Sequence, residues 1–434
     1  MAKRLSAILR AYRLFSTVAT PLTPLLLARR LRQGKESRAR LRERRGEATL
    51  ERPAGPLVWL HGASVGEISS IVPLVERLHA RNVGVLVTSG TLTSAGFAEQ
   101  RLPRGAIHQF VPLDMPRFVR RFLAHWRPDL ALLVESDLWP NLIIETAARD
   151  IPLILVNARL SDASYRRWRK LPSTIGALLE RFDLCLARTA LDAERFAALG
   201  APRLTTTGNL KLDGPAPPVH EEHMWQVKAA IGQRPVIAAA STHPGEETAV
   251  IEAHRRLSGK FPGLLTIIAP RHPERGAGVA QIAAVGGLNS ALRSRGELPD
   301  AGTDIYIADT VGELGVLYRL APLVFIGGSL VRHGGQNPIE AAKLGAAVLH
   351  GPHVGNFAEI YAALDAAHGA QPVADTEELV ERFGRWLADP LARARAADAA
   401  RATVDSLGGA LERTVMALDP YLMQLRLGQR AGHA

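Results

Sequence analysis

The chain has 434 residues, room for about two domains at the usual ~100–200 residues each, and its 47% hydrophobic content suffices for two cores. A single cysteine, Cys185, excludes an intramolecular disulfide and fits a reducing compartment, and no CxxC or HExxH spacing supports a metal site. The formal charge of +11 sits at one end: residues 1–50 hold thirteen Lys and Arg against three Glu, so the basic stripe over a folded face that marks a nucleic-acid binder is not indicated.

Within that basic block lies an apolar stretch, Leu14–Ala28 ("LFSTVATPLTPLLLA"). It is shorter than the ~20 residues a membrane span needs, and Pro21 and Pro24 interrupt it. No clear small-x-small cleavage site precedes the Arg-rich run Arg29–Arg45, unlike a signal peptide. Residues 1–50 are therefore expected to be a membrane-anchoring segment, monotopic or marginal, held by apolar area and basic residues against anionic lipids. A single pass with the basic side cytoplasmic is the alternative. Because strand–helix alternation starts only at Leu57, removal of residues 1–50 is expected to spare the fold.

Apolar strand-like runs then alternate with amphipathic segments: Leu57–Leu60, Val83–Thr88, Leu130–Val134, Leu153–Val156, Leu184–Ala187 and Arg203–Thr207. This alternation predicts a parallel sheet with helices on both faces over 51–211. Leu212–Trp225 ("LDGPAPPVHEEHMW") carries three prolines and opens a linker expected over 212–232. A second series follows over 233–402, with strands at Val236–Ala240, Leu264–Ala269, Ile305–Ala308, Leu323–Ile326 and Ala347–Leu349. Residues 403–434 form a C-terminal segment that is helical in pattern from about Thr403 to Leu427. The fold class is thus α/β, with two Rossmann-like halves facing a central cleft where ligands usually bind. Neither a P-loop nor a GxGxxG after a strand is present, so ATP or NAD is not indicated.

In the first half, "HGASVGEISSI" (His61–Ile71) reads as a tight turn opening a helix, with Glu67 near the helix start. An acid there complements the helix dipole. Equally, a carboxylate at the C-terminal end of a parallel strand stands where open α/β sheets place ligands. "LLVESDLWPNL" (Leu132–Leu142) ends another strand with Glu135, Ser136, Asp137, Trp139 and Asn141. "VNARLS" and "GNLKLD" add Asn157, Arg159, Asn209 and Lys211. These polar groups are either caps or one wall of a binding site; Trp139 reads as packing.

In the second half, Gly327–Pro352 is the densest signal. Gly327 and Gly328 follow an apolar strand, and Gly334 and Gly335 permit close backbone approach. Asn337 is a natural N-cap and Pro338 a natural first helical residue, followed by Ile339 and Glu340. Such a helix start binds phosphate through free N–H groups, and a carboxylate beside it can accept ribose hydroxyls. "ASTHPGEE" (Ala240–Glu247) offers Ser241 and Thr242 as capping or phosphate-contacting hydroxyls. "APRHPER" ends a strand with Pro270, Arg271 and His272, and "DTVGELGVLY" sets Gly312, Glu313 and Leu314 between strand and helix. A strand-end Arg favours an anionic ligand.

The ordered blocks "HGASVGE", "LVESDLWPN", "VNARLS", "GNLK", "STHPGEE", "PRHPER", "GELG" and "GGSLVRHGGQNPIE" resemble the 3-deoxy-D-manno-octulosonic acid (Kdo) transferases of lipopolysaccharide synthesis, from the anchor to about Phe357. The resemblance implies a GT-B fold with an acceptor-side first domain and a nucleotide-sugar-binding second domain. It implies CMP-Kdo as donor substrate, a lipid A precursor as acceptor, and no cofactor or metal in an inverting transfer. It implies Glu67 as catalytic base. CMP contacts map onto Pro270, Arg271, Gly312, Glu313, Leu314, Asn337, Pro338, Ile339 and Glu340. Ser64, Gly66, Glu135, Asn209, Lys211, Ser241 and Thr242 are further substrate-binding candidates. Gln336 stands where many members carry His. The implied location is the cytoplasmic face of a Gram-negative inner membrane, against anionic lipids. A soluble nucleotide-sugar epimerase of the same two-domain architecture is the competing enzyme, and it would need no anchor.

Overall fold

The computed structural model describes residues 4–431 apart from 215, 218 and 220, with side chains as far as 425. Residues 1–3 of the expected anchor, 215, 218 and 220 of the expected linker, and 432–434 of the expected C-terminal segment lie outside the described residues. The chain forms two compact units, Met1–Gly214 with Gly408–Ala434, and Pro215–Leu407.

The first unit holds a seven-stranded sheet: β1 (Leu57–His61), β2 (Gly84–Ser89), β3 (Ile107–Phe110), β4 (Leu130–Val134), β5 (Leu153–Ala158), β6 (Leu184–Ala187) and β7 (Leu204–Thr206). The order is β3-β2-β1-β4-β5-β6-β7, and β1 pairs parallel with both β2 and β4. The central strands are largely apolar because both faces are covered. Trp59 packs with Leu133 and Leu155 in one cluster, while Val58, Leu60 and Leu132 join Ile68 and Ile71 in another. The strand order reverses between β1 and β4, and open sheets bind ligands at such a switch point.

The second unit holds β8 (Val236–Thr242), β9 (Leu265–Pro270), β10 (Ser290–Leu292), β11 (Ile305–Ile307), β12 (Leu323–Ile326), β13 (Ala347–His350) and β14 (Ala370–Pro372) in the order β10-β11-β9-β8-β12-β13-β14. Its switch point lies between β8 and β12. Three strands escape the sequence reading: β3, β10 and β14. All three are sheet edges. An edge strand needs no long apolar run, and β3 carries His108 and Gln109, whose polarity is absorbed by Ser89 Oγ (2.9 Å) and Trp126 Nε1 (2.8 Å).

Two expected boundaries are corrected. Segment 403–434 is not one helix: the helix Pro390–Ser406 belongs to the second unit and the helix Ala410–Ala431 to the first. The break falls at Gly409, with φ of +82°, and Asp213 receives the Gly409 N–H at 2.6 Å and the Leu411 N–H at 2.5 Å. The expected linker 212–232 contains the helix Glu221–Ile231.

Residues before Leu57 are not dispensable. Glu36, Glu43 and Arg44 are buried. Arg44 donates to Glu36, Gly90 O and Val111 O, and Glu43 accepts the β3 Phe110 N–H at 2.7 Å. These residues tie down the β3 side of the sheet, so removal of 1–50 would damage it. Ahead of them lie α1 (Ala7–Val18) and α2 (Thr23–Arg32), joined by a 3-10 turn at Thr20–Leu22. Among the described residues no helix is long and apolar enough to cross a membrane. Much of the inward side of α1 is polar: Tyr12 donates to Asp114 (2.9 Å), Arg13 to Glu145 (2.7 Å), and Ser16 Oγ accepts from Asn141 (3.0 Å). Leu14, Phe15, Val18, Leu22 and Leu25 face outward, 62–72% exposed.

Candidate active site

In the first unit, the turn after β1 opens α3 (Val65–His79). Ser64 is the N-cap and Glu67 the third helical residue, and the two cap each other. Glu67 N–H donates to Ser64 Oγ (3.3 Å), Ser64 Oγ to Glu67 Oε1 (3.0 Å), and Ala63 N–H to Glu67 Oε2 (2.7 Å). Glu67 thus closes the helix start through the Ser64 hydroxyl and the N–H of the residue before the cap, so the helix-start reading of Glu67 holds in geometry. The carboxylate is nevertheless not an ordinary cap. Burial, then the neighbouring Asp137, push it up to about 7. Asp137 itself is raised to about 6 by burial and by Glu135. Three acids thus gather at the β1–β4 switch point.

Their surroundings fix the local charge. Glu135 follows β4 with φ of +59°, a costly conformation for a side chain with a Cβ. It accepts from Lys211 Nζ at 2.7 Å. Asn157, at the end of β5 with φ of +51°, accepts the Leu210 N–H at 3.0 Å and so holds the turn carrying Asn209 and Lys211. The Nδ2 donors of both Asn157 and Asn209 are buried without an acceptor among the described residues. His61 ends β1, fully buried, and burial lowers its imidazole to about 4. Its Nε2 stands 3.6 Å from Asp137 Oδ2. Gly66 is exposed, and a Cβ there would meet nothing within 4 Å.

In the second unit, the turns after β8 and β12 meet. Glu246 is buried, and its carboxylate accepts N–H groups from His243 (2.9 Å), Gly328 (2.7 Å), Ser329 (2.9 Å) and Leu330 (2.9 Å). The glycine-rich exit from β12 therefore holds a protein carboxylate rather than offering its donors to a phosphate. Thr242 donates to Glu247 at 3.0 Å, and Arg275 also binds Glu247. Neither Ser241 nor Thr242 caps the helix Glu246–Leu257, whose N-cap is Gly245; Ser241 instead takes φ of +56° at the strand end.

The later turns are corrected in detail. The helix expected from Pro338 begins one residue later, as Ile339–Lys343 with Pro338 as cap. Asn337 Oδ1 accepts the Ile339 N–H at 3.0 Å, and Asn337 Nδ2 lies 3.3 Å from Glu340 Oε1. Ile339 itself is buried in the core. Pro270 closes β9, and Arg271 N–H donates to Thr242 O at 3.0 Å while its guanidinium is exposed, with no acid partner among the described residues. Glu313 is already engaged by Thr310 (2.7 Å), Arg293 (3.2 Å) and His223 (3.0 Å), so Gly312–Leu314 presents backbone rather than a free carboxylate.

Sequence reasoning missed the histidines here. His243 stacks on His333 with ring centroids 4.1 Å apart, and Gln336 Nε2 lies 3.1 Å from His243 Nε2. The tandem acids of "PGEE" were the available signal for Glu246 and Glu247. Among the described residues no group of three or more His, Cys, Asp or Glu is placed to hold a metal ion.

A family model described as 3-deoxy-D-manno-octulosonic-acid transferase (kdotransferase) matches residues 39–214. The 3-deoxy-D-manno-octulosonic acid transferase of Haemophilus influenzae is 35% identical over 394 residues, 89% of this chain and 92% of that protein. The enzyme of the same name from Bordetella pertussis is 36% identical over 389 residues, 87% and 90% of the two chains. Among solved structures, a putative UDP-N-acetylglucosamine 2-epimerase from Listeria monocytogenes superposes with TM-score 0.61 at 16% identity, over 86% of this chain and 98% of that one. A glycosyltransferase from Rickettsia africae gives TM-score 0.60 at 11% identity, over 85% and 99%. Those two likenesses concern the fold, a GT-B-like pair of parallel-sheet α/β domains.

Proposed function

The chain belongs to the 3-deoxy-D-manno-octulosonic acid transferase family, and from that premise we propose that it transfers Kdo from CMP-Kdo to a lipid A precursor, with Glu67 as base. The observation that carries the base assignment is a carboxylate at the β1–β4 switch point held up to about 7. At neutral pH it is partly ionised, close to the optimum for taking a proton from an acceptor hydroxyl as that oxygen attacks the anomeric carbon. The bonds from Ala63 and Ser64 fix its position without neutralising it. Inversion follows from a single displacement with one base.

On the donor side, the leaving CMP phosphate needs positive charge. Since Glu246 fills the donors after β12, that role falls to Arg271, which is exposed and has no acid partner among the described residues. Asn337 and Glu340 supply an amide and a carboxylate for the ribose hydroxyls, and Gly312–Leu314 supply backbone. Transfer needs no cofactor or metal in this scheme. The Lys211–Glu135 pair and the Nδ2 donors of Asn157 and Asn209 suit a hydroxyl-rich, anionic acceptor.

The location follows from α1 and α2. A helix that is tied to its own protein by polar side chains and turns Leu14, Phe15 and Val18 outward matches a bilayer surface better than water. We place the protein monotopically on the cytoplasmic face of a bacterial inner membrane, where its basic block meets anionic lipids. The epimerase alternative shares the fold at 16% identity, against 35% for the transferases, and it gives α1 no role. Release of CMP from CMP-Kdo, measured with and without the lipid acceptor, tests the scheme; acceptor-independent turnover of the donor would sink it.

A further inference from the structure

Beneath the turn that joins α1 to α2 lies a cavity of about 600 Å³, lined by Thr17, Thr20, Thr23, Arg45, Glu47, Arg117, Phe118 and Arg121 among others. It contains no residue of the catalytic turns 61–67, 135–139 or 209–211. Three guanidiniums face one carboxylate. Arg121 takes most of Glu47, at 2.5 Å, while Arg45 stands 3.9 Å from it. Arg117, near the start of the helix Pro116–Trp126, has no acid partner among the described residues.

The walls are fixed by backbone. Gly46 has φ of +73°, and a Cβ there would lie 2.1 Å from Phe118 O. Only glycine lets the Arg45–Glu47 turn press onto that helix, so Arg45 is brought beside Arg117 and Arg121 by the fold itself. The threonine hydroxyls are spent on backbone carbonyls: Thr17 donates to Arg13 O, Thr20 to Ser16 O and Thr23 to Thr20 O. What the cavity offers a ligand is therefore positive charge. The same turn that lines it carries Leu22, and Val18 and Leu25 flank it, all strongly exposed.

We propose that this cavity is a binding site for the phosphate of an anionic phospholipid headgroup, whose acyl chains lie along the apolar face of α1 and α2. The inference rests on the membrane placement proposed above and sharpens it from a diffuse charge attraction to one seated lipid. Phosphate suits paired guanidiniums geometrically, and half of the cavity wall is made by the anchor helices rather than by the substrate turns. This favours a bilayer lipid over the acceptor substrate.

The test uses the full chain and vesicles of phosphatidylcholine with or without phosphatidylglycerol. Arg45→Gln with Arg117→Gln should weaken binding to the anionic vesicles by more than the about 30-fold that two surface charges are worth at roughly fivefold each. Arg29→Gln with Arg32→Gln removes the same charge from exposed positions on α2 outside the cavity and should weaken it less. Native mass spectrometry of the detergent-extracted protein should show retained phosphatidylglycerol, lost in the first pair and kept in the second. Equal losses in both pairs, no retained lipid, or retention of the acceptor lipid instead would each overturn the site. Leu22→Ser with Leu25→Ser tests the membrane placement separately: undiminished flotation of that variant would overturn the placement itself, whatever the arginines do.

Discussion

Both units carry acids in the turns where their sheets reverse direction, and the two sets are held in opposite ways. In the second unit, Glu246 accepts four backbone N–H groups and Glu247 binds Thr242 and Arg275, while Glu313, in the turn after β11, binds Thr310 and Arg293. In the first unit, burial and Asp137 raise Glu67, burial and Glu135 raise Asp137, and Glu135 pairs with Lys211. A carboxylate surrounded by donors organises the loop that supplies them. A carboxylate raised by burial and like charge is available for proton transfer. The same residue type at equivalent places in two similar sheets thus serves scaffolding in one and chemistry in the other.

Neutralising one acid from each set gives the widest contrast. Glu67→Gln should lower lipid-dependent CMP release by roughly 10²-fold or more, with CMP affinity unchanged, since the proposed CMP contacts lie in the other unit. A variant within a few-fold of wild type would make Glu67 a cap and no more. Glu246→Gln should instead lose roughly 2–4 kcal/mol of stability, because an amide cannot accept all four N–H bonds and turns a donor toward them. Equilibrium denaturation that left this variant as stable as wild type would erase the distinction between the two sets.

Smaller effects sharpen it. Arg271→Ala should weaken CMP binding by roughly 1–3 kcal/mol if its guanidinium meets the phosphate, and Glu340→Ala should do the same through the ribose; calorimetric titration reads both. Stability should also depend on pH in a signed way. The native Glu67 carboxyl sits near 7 against an ordinary 4.5, so the native state holds its proton more tightly than the unfolded chain. Its ionisation then removes stability as pH rises from about 4.5 through 7. Glu67→Gln removes that penalty and should melt no lower than wild type at pH 8, with a gain on the order of 1 kcal/mol after allowance for solvent. A clear loss of melting temperature would mean that capping outweighs crowding. Smallest is the shift from Asp137→Asn. Removing that charge should move the acid limb of the pH–rate profile downward by less than about one unit; a limb that did not move would detach Asp137 from Glu67.

What was legible in the sequence follows the same physics. Central strands such as Leu130–Val134 and Leu323–Ile326 are buried on both faces, so their apolar runs announce them with correct ends. The edges β3, β10 and β14 are short or polar and announce nothing. Glu67 was legible because a buried strand, a tight turn and a helical pattern follow one another around it in one short stretch. Glu246 was not, because three of the four N–H groups it serves, those of Gly328, Ser329 and Leu330, lie more than eighty residues further along. Arg44 and Glu36 were hidden in a basic tract that composition alone assigns to the membrane, although the fold buries them.

The division of the first unit into two stretches of chain has a consequence for synthesis. Val415, Leu418 and Leu422, on the helix Ala410–Ala431, belong to the same buried cluster as Ile68, Ile71 and Leu74. They leave the ribosome only after the whole of the second unit. Domains ordinarily mature in the order they are made. Here the inserted unit can close first, while the opening half waits with one side of its sheet unfinished and the apolar side of α1 already displayed. That interval is when a nascent chain is most open to capture by a chaperone or by the bilayer itself.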